Sequence, residues 1–441
     1  MARPDPMYEI ALVGCGRVAE KHIKAMRHLR HKVSSILLVD PLPAARARIL
    51  DLMTVSQRKL ARGYDSLEEL FRERKPDIVA ITTPSNSHYA LARLAIENRC
   101  HLLIEKPMTL DLEEAKDLIQ LGRMEDTRIA LGHIYRYFPL VNLLQHELSV
   151  GQHGRILHGS VHVQWGHDQS YYDLAAWRGR WASDGGVLMN QSVHAVDLMQ
   201  WLVNAKTVSA QGSILQQVHR MEAEDYGAGL LHFDNKAIIQ VEGTTNTPRN
   251  RKRAAISLVA EKLWFKASLE GKRVRFSIYD NEGKSLKWYY TKKLLKDITE
   301  RGVLKSLKGF LNPHTGIYDD LFQSIEYKRA PRASAIDGFN SVAAVLGIYQ
   351  SASQGGAKVE VPAKGFSLKD MEGYFSSYRN LEKKQKQELG LEQGLDQGLD
   401  LEASGSEANK ASNPTPTKTP LPPASFQNPT NFTHPGANNE F

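Results

Sequence analysis

Four side chains of this 441-residue sequence have the types and spacing to move a proton and a hydride. Asn190, His194 and Asp197 recur at intervals of four and three, so a helix would carry an amide, an imidazole and a carboxylate on one face. Imidazole titrates near neutrality, which suits it to removing a proton from an alcohol. The fourth is Lys106, in Glu105-Lys106-Pro107, at the end of the apolar run His101–Glu105. A partly desolvated ammonium there can hold a hydroxyl and steady oxyanion character as hydride leaves. Each residue also has a plainer reading: a strand-end lysine is usually a surface charge, and one histidine on an apolar helix is usually packing. The surroundings favour chemistry. The helical pattern Val187, Met189, Val193, Val196, Leu198, Met199, Leu202 opens after Gly185-Gly186, just beyond a stretch that holds three of the six tryptophans, Trp165, Trp177 and Trp181. Loops spend large rings at binding sites because ring faces bury much area at little entropic cost. Arg136, Tyr172, Trp177 and Arg178 therefore join Asn190 and His194 as candidate substrate ligands.

A hydride needs an acceptor, and Ile10–Asp40 has the form of its holder. The apolar run Ile10–Val13 leads into Gly14-Cys15-Gly16, then Val18-Ala19 opens a helical pattern, and a second apolar run, Ser35–Val39, ends on Asp40. Strand, glycine turn, helix, strand and acid make the dinucleotide fingerprint in its G-x-G-x-x-A form. Gly14 permits the tight turn, and Gly16 lets the backbone approach a pyrophosphate lying on the helix N-terminus. The competing reading is a glycine turn in some other α/β protein. Asp40, 21 residues after Ala19, can accept hydrogen bonds from a ribose diol and would repel a 2′-phosphate, so NAD is expected over NADP. The run Thr83-Pro84-Ser85-Asn86-Ser87-His88 is either a well-capped turn or a wall of the cofactor crevice. Candidate cofactor contacts are Gly14, Gly16, Arg17, Val18, Asp40, Thr83, Pro84, His88, Glu105 and Lys106.

Strands are predicted at 8–13, 35–39, 77–82, 101–105 and 128–131, and helices at 17–30, 43–60, 66–74, 86–98 and 111–124. Such alternation implies a parallel sheet with helices on both faces and ligands at the carboxyl ends of the strands. Beyond 132 a helical stretch, His133–Leu148, precedes alternating runs at 156–165, 207–216, 226–243 and 254–265, which read as a largely antiparallel sheet. Residues 336–361 read as a helix and a short strand. The chain is thus α/β, with a nucleotide-binding domain at 1–132, an α+β domain for substrate and oligomerisation at 133–365, a helix at 366–383 and a tail at 384–441. The tail holds seven of the nineteen prolines and is expected to be disordered.

Hydrophobic content of 41% and charged content of 24% are those of a soluble globular protein. The two cysteines, Cys15 and Cys100, form no spaced cluster, which argues against a disulfide framework or structural zinc; no metal is expected. No apolar leader precedes the first strand and no run is long enough to span a membrane, so a cytoplasmic protein is expected. The net charge of +8 is uneven: residues 249–308 carry 17 Lys or Arg against 6 Asp or Glu. Without a recognisable nucleic-acid module, no nucleic-acid partner is expected. A solvated basic sheet face, an anionic substrate and a membrane surface remain as readings, the last chiefly for the lysine-rich 283–316 segment.

Taken together, GxGxxA at 14–19, TPxxxH at 83–88, EKP at 105–107 and GGxxxNxxxHxxDxxxWL at 185–202 resemble the Gfo/Idh/MocA family of NAD(P)-dependent oxidoreductases, over about residues 7–365. The resemblance implies a Rossmann domain followed by a large open antiparallel sheet, assembly as dimers or tetramers, Lys106 at the reacting hydroxyl and His194 as acid/base. Many members have aspartate where Asn190 stands, so a role needing a carboxylate does not carry over. The W…YY…WRG…W run and LMNQ resemble the branch that oxidises UDP-linked N-acetylhexosaminuronates at C3, a reaction of polysaccharide biosynthesis; Arg178 or Arg180 would then pair with an anion of the substrate. The alternatives are a dehydrogenase of a free sugar or cyclitol, a silent cofactor-binding regulator, and an NAD-dependent glycosidase that lends and recovers hydride.

Overall fold

The computed structural model describes residues 6–271, 273–301 and 312–376. They belong to one compact unit, Met1–Asn380, while a second unit, Leu381–Phe441, lies outside the described residues. The tail, positions 377–383 of the expected 366–383 helix, and positions 302–311 of the lysine-rich segment therefore also lie outside them, and the described start of that expected helix holds only a 3-10 turn, Leu368–Met371.

Six parallel strands build the first sheet: β1 (Tyr8–Val13), β2 (Val33–Val39), β3 (Ala61–Tyr64), β4 (Ile78–Ile81), β5 (His101–Ile104) and β6 (Ile129–Leu131). Their order is β3-β2-β1-β4-β5-β6. β1 and β4 are nearly continuous apolar runs buried on both faces, the composition that a sheet covered by helices on each side demands. The order reverses between β1 and β4, which opens a crevice beyond their carboxyl ends. Two local expectations fail here. β3 was not foreseen, because Ala-Arg-Gly-Tyr at the sheet edge buries only Tyr64. The helix expected over 43–60 breaks into Pro43–Leu52 and Val55–Lys59, since Thr54 and Gln57 form a capping box that starts the second segment afresh.

The second sheet has eight strands: β7 (Ile156–Trp165), β8 (Thr207–Leu215), β9 (Tyr226–Phe233), β10 (Ile238–Thr244), β11 (Lys252–Ala260), β12 (Leu263–Glu270), β13 (Arg273–Tyr279) and β14 (Val359–Glu360). The order is β13-β12-β11-β7-β10-β9-β8-β14, antiparallel except where β10 runs alongside β7. The alternating runs at 226–243 and 254–265 resolve into hairpins. Their turns use Asn235-Lys236 and Glu261-Lys262; neither holds glycine or proline, and only the first has a turn signal, Asp234-Asn235. Lys236 takes a left-handed φ of 70°.

One face of this sheet is packed by helices Val193–Val203 and Ala335–Ser353. The second is apolar almost all round, as a helix buried on every side must be. It lies on β8 and also meets the Leu112–Met124 helix of the first half, so it ties the two halves together. On the opposite face Leu215, Leu230, Ile238 and Trp264 stand exposed. The basic helix Lys287–Arg301 is anchored through Glu147, whose carboxylate receives Lys293, Tyr289 and Tyr290. No described helix is long and apolar enough to cross a membrane.

Candidate active site

The crevice is formed on one side by the Gly14–Gly16 turn. Gly14 has φ of +91°, and a Cβ there would press on Thr83, so the position admits only glycine without rearrangement. A Cβ on Gly16 would meet nothing within 4 Å, leaving open space above the turn. The helix Ala19–His28 begins without a side-chain cap, so no capping side chain competes with an anion at its N-terminus. Asp40 accepts from Cys15 N at 2.7 Å and Leu42 N at 2.9 Å, which fixes its carboxylate at the end of β2. Two nearby arginines are engaged with backbone: Arg46 donates to the Asp40 carbonyl, and Arg48 to those of Cys15 and Gly16.

Lys106, with a cis Lys106–Pro107 bond, follows β5 along the same carboxyl edge of the sheet, two strands from the glycine turn. Its Nζ donates to the Asn190 carbonyl at 2.6 Å and to Asn190 Oδ1 at 3.3 Å. Burial lowers its pKa, against the pull of Glu105 and Asp184. Asn190 sits in a π turn, Leu188–Ser192, that precedes the Val193–Val203 helix. Wide turns of this kind reorient side chains and recur at functional sites. Asn190 Nδ2 donates in turn to Asp184 Oδ2 at 2.5 Å. His194 is half-buried, with its ring near those of His133 and Tyr135. Burial, then Lys106 and His133, push its pKa well below the usual histidine range, so it is neutral at physiological pH. Lys106, Asn190 and His194 are thus brought together: a cation, a hydrogen-bonding amide and a neutral imidazole at one place.

Other expected ligands lie behind the crevice instead. Arg136 is 2% exposed and binds Asp197 in two parallel bonds of 2.6 and 2.8 Å, with further bonds to Asp337 and the Arg332 carbonyl. This corrects its expected role as a substrate ligand, because its donors are spent inside the protein. Asp197 likewise turns to Arg136, so the three residues expected to share one face do not act as one set. His88 is 1% exposed and bridges the Thr83 and Pro107 carbonyls. It braces two walls of the crevice from behind and does not line it, a second correction. Glu105 is buried and accepts from His22 and His314. Burial raises its pKa, but those bonds outweigh burial and hold it well below the usual carboxylate range. It is a buried brace, not a cofactor contact. His22, Glu105 and His314 come close enough to ligate a metal, yet their polar atoms already satisfy one another, with Tyr318 and Asn312 completing the set. Trp181 is core, fully buried against Tyr349 and Phe375.

The aromatic stretch forms the outer part of the site. His167 stacks on Tyr171 at 3.6 Å between centroids, and the Arg178 guanidinium lies 4.3 Å above the Tyr171 ring and 5.3 Å from that of Trp177. Tyr172 donates to Thr245 and packs edge-on against Tyr171. Tyr172, Arg178, Arg180 and Arg220 line a polar cavity of about 630 Å³. Lys252 reaches the same region from β11 over Trp165, and its pKa is lowered by burial and by Arg17 of the glycine turn.

Residues 8–133 match the oxidoreductase family with an NAD-binding Rossmann fold, and residues 147–361 match that family's C-terminal alpha/beta domain. The chain belongs to the Gfo/Idh/MocA oxidoreductases. It is 27% identical over 213 residues to an uncharacterised oxidoreductase of Synechocystis, covering 48% of this chain and 55% of that one. It is 40% identical over 84 residues to UDP-N-acetylglucosamine 3-dehydrogenase of Acidithiobacillus ferrooxidans, covering 19% of this chain and 26% of that enzyme. The chain therefore spans about half, or less, of the length of these curated relatives. The WlbA dehydrogenase of Bordetella pertussis, crystallised with NADH and UDP-GlcNAcA, is similar over its whole length and 82% of this chain, with 26% identity and a TM-score of 0.71.

Within a Gfo/Idh/MocA oxidoreductase, the glycine turn, the uncapped helix N-terminus and Asp40 fit NAD, and Thr83 and Pro84 border the same crevice beyond β4. Four residues of the site were not singled out from sequence: Asp184, His167, Tyr171 and Lys252. Tyr171 had a signal, its place in the aromatic stretch; Asp184 looked like a loop acid before two glycines.

Proposed function

We propose that this protein is an NAD-dependent dehydrogenase of a sugar nucleotide, oxidising a secondary hydroxyl, C3 of a UDP-N-acetylhexosaminuronate. The observation that carries this reading is the outer site. Arg17, Lys252 and Arg178 converge from three segments around the His167–Tyr171 stack, with Asp168 as the nearby acid, itself paired to Arg249. Cations gathered from separate segments suit a diphosphate, and a stacked aromatic surface suits a base or sugar face. The similarity to a dehydrogenase crystallised with UDP-GlcNAcA supports the same substrate class.

Bound NAD supplies the hydride acceptor. Lys106 holds the reacting oxygen and stabilises the charge that develops there as the O–H bond breaks. His194, neutral and beside Lys106, accepts the hydroxyl proton, so the alcohol leaves as a ketone with its proton on the imidazole. Asn190 orients Lys106. The low dielectric of the half-buried corner strengthens each of these interactions. We further propose a cytoplasmic homodimer or homotetramer, with the open face bearing Leu215, Leu230 and Ile238 turned toward a second copy.

The test is a substrate panel followed by NADH absorbance: UDP-GlcNAcA, UDP-GlcNAc, free uronates and cyclitols. UDP-GlcNAcA should be turned over with the highest kcat/KM, and the product should be a 3-ketone. Preference for a free cyclitol, or reduction of no cofactor with any of them, would rule the reading out.

A further inference from the structure

Lys106, Asn190 and Asp184 form a chain of two hydrogen bonds with a charge at each end. The ammonium needs an acceptor and the carboxylate needs a donor, so the amide between them has one permitted orientation: Oδ1 toward Lys106 at 3.3 Å, Nδ2 toward Asp184 at 2.5 Å. Asp184 is 2% exposed, and its second oxygen accepts from Gly179 N at 2.9 Å. Gly179, at φ +66°, lies in the Trp177–Trp181 loop that carries Arg178. One buried carboxylate therefore joins the reacting corner to the anion-facing loop. Glu105, the acid adjacent to Lys106 in sequence, faces the other way, toward His22 and His314.

We propose that Asp184 is the positioning residue of this site, holding Lys106 as an oriented ammonium through the Asn190 amide and coupling that orientation to the Trp177–Trp181 loop. The inference rests on the assignment of Lys106 to the reacting oxygen. With Asp184 ionised, the amide is locked and Lys106 has its two acceptors. With Asp184 protonated, its hydroxyl becomes a donor, the amide is free to turn over, and its NH2 group would face the ammonium. The groups facing Asp184 are Lys106 from the β5 turn, Asn190 from the π turn, Tyr171 from the short Gln169–Asp173 helix, and the Gly179 and Arg180 N–H groups. Burial dominates and raises the carboxyl to about 7, against the pull of those N–H groups, Asn190 and Lys106. The switch thus falls in the working range. His194 cannot supply such a transition, because its own pKa lies well below the histidine range.

The experiment has one arm that needs no substrate. In protein labelled at lysine side chains, with the Lys106 signal assigned by Lys106→Arg, the NMR shift of Lys106 is followed between about pH 6 and 9. The wild type should show an inflection near 7 from Asp184, and Asp184→Asn should abolish it and move the Lys106 titration to lower pH. Asn190→Ala, which breaks the link but keeps the carboxylate, should also flatten the inflection. The second arm is the pH profile of kcat/KM. Asp184→Asn should bind NADH as the wild type does, lose the limb near 7 and fall about tenfold or more in kcat. Adding Asn190→Asp to Asp184→Asn, which places a carboxylate directly on Lys106, should recover part of that loss. An unchanged Lys106 titration in both single variants would overturn the proposal. A changed titration in a protein that oxidises no sugar nucleotide would keep Asp184 in its role and remove the substrate assignment instead.

Discussion

At Lys106, two demands conflict. A cation is needed to steady the oxygen of the departing alcohol, yet burial acts against keeping one there. The charges of Glu105 and Asp184 pull against that burial, and two acceptors on Asn190 orient the ammonium. Replacing Lys106 by alanine should leave NAD affinity close to wild type and reduce kcat by about a hundredfold or more, since the lost interaction belongs to the transition state. His194→Ala should behave similarly, with a loss of about 10²–10⁴-fold typical of a missing proton acceptor. Cofactor titration by fluorescence and initial rates separate the two effects; full turnover in both variants would dismiss the assignment. Asp40 tests the opposite half of the crevice. Asp40→Ser should weaken NAD binding and narrow the preference over NADP, because a carboxylate at the ribose both binds the diol and repels a 2′-phosphate. The measurement is the ratio of kcat/KM for the two cofactors.

At the scale of elements, the Val193–Val203 helix matters through what it pins. Its Asp197 and the buried Arg136, from the Ile134–Tyr137 turn, form a two-bond ion pair beneath Trp201, and Asp337 of the Ala335–Ser353 helix completes it. Three segments that carry or support the site meet at one guanidinium. Arg136→Ala would leave Asp197 buried without its partner, a change that typically costs about 3–5 kcal/mol. A lowered denaturation midpoint is the expected result, with NAD affinity preserved in whatever fraction stays folded; unaltered stability would show that the pair is idle. This helix also marks where sequence reading stops. Lys106, His194 and Asn190 were legible because strand-end position, glycines and apolar period are local signals. Their grouping with Asp197 was not, because spacing on the helix does not show that Asp197 is already bound by the buried Arg136. Arg136 and His88 were misjudged for a related reason: residue type shows that a group can bind, but only packing shows that its hydrogen bonds are already committed. The parallel sheet, by contrast, was readable from composition, apart from β3 at its edge, where burial asks little of the sequence.

Across the whole molecule, the buried titratable groups divide into two opposing sets. Burial lowers the pKa of His88, His133, His194 and His314, and brings His167 down to about 4. In the unfolded chain each would titrate near 6.5. Below about pH 6.5 the unfolded chain therefore binds protons that the folded chain refuses, and stability must rise with pH up to that point. Glu105 acts in the same sense at lower pH: its contribution is complete above its unfolded pKa and is lost as pH falls toward its depressed folded value. Asp184 and Glu224 act in the other sense. Burial raises them to about 7 and about 8, so between their unfolded values near 4 and those folded values they stay protonated while the unfolded chain has ionised. Their effect is a loss of stability with rising pH. Histidines outnumber these acids, so they set the slope below 6.5; above it they no longer change, and the acids govern. Thermal melting from pH 5 to 8.5 should show Tm rising to a maximum between about 6.5 and 7, then declining gently to about 8. Glu224 isolates the descending limb, because its Oε1 already accepts from Leu188 N at 2.9 Å and the Tyr349 hydroxyl at 2.7 Å, contacts a glutamine can retain. Glu224→Gln, having nothing to ionise, should flatten the decline between 7 and 8 while leaving the acid limb where it was. A variant that declines as steeply as the wild type would place the alkaline loss elsewhere in the chain.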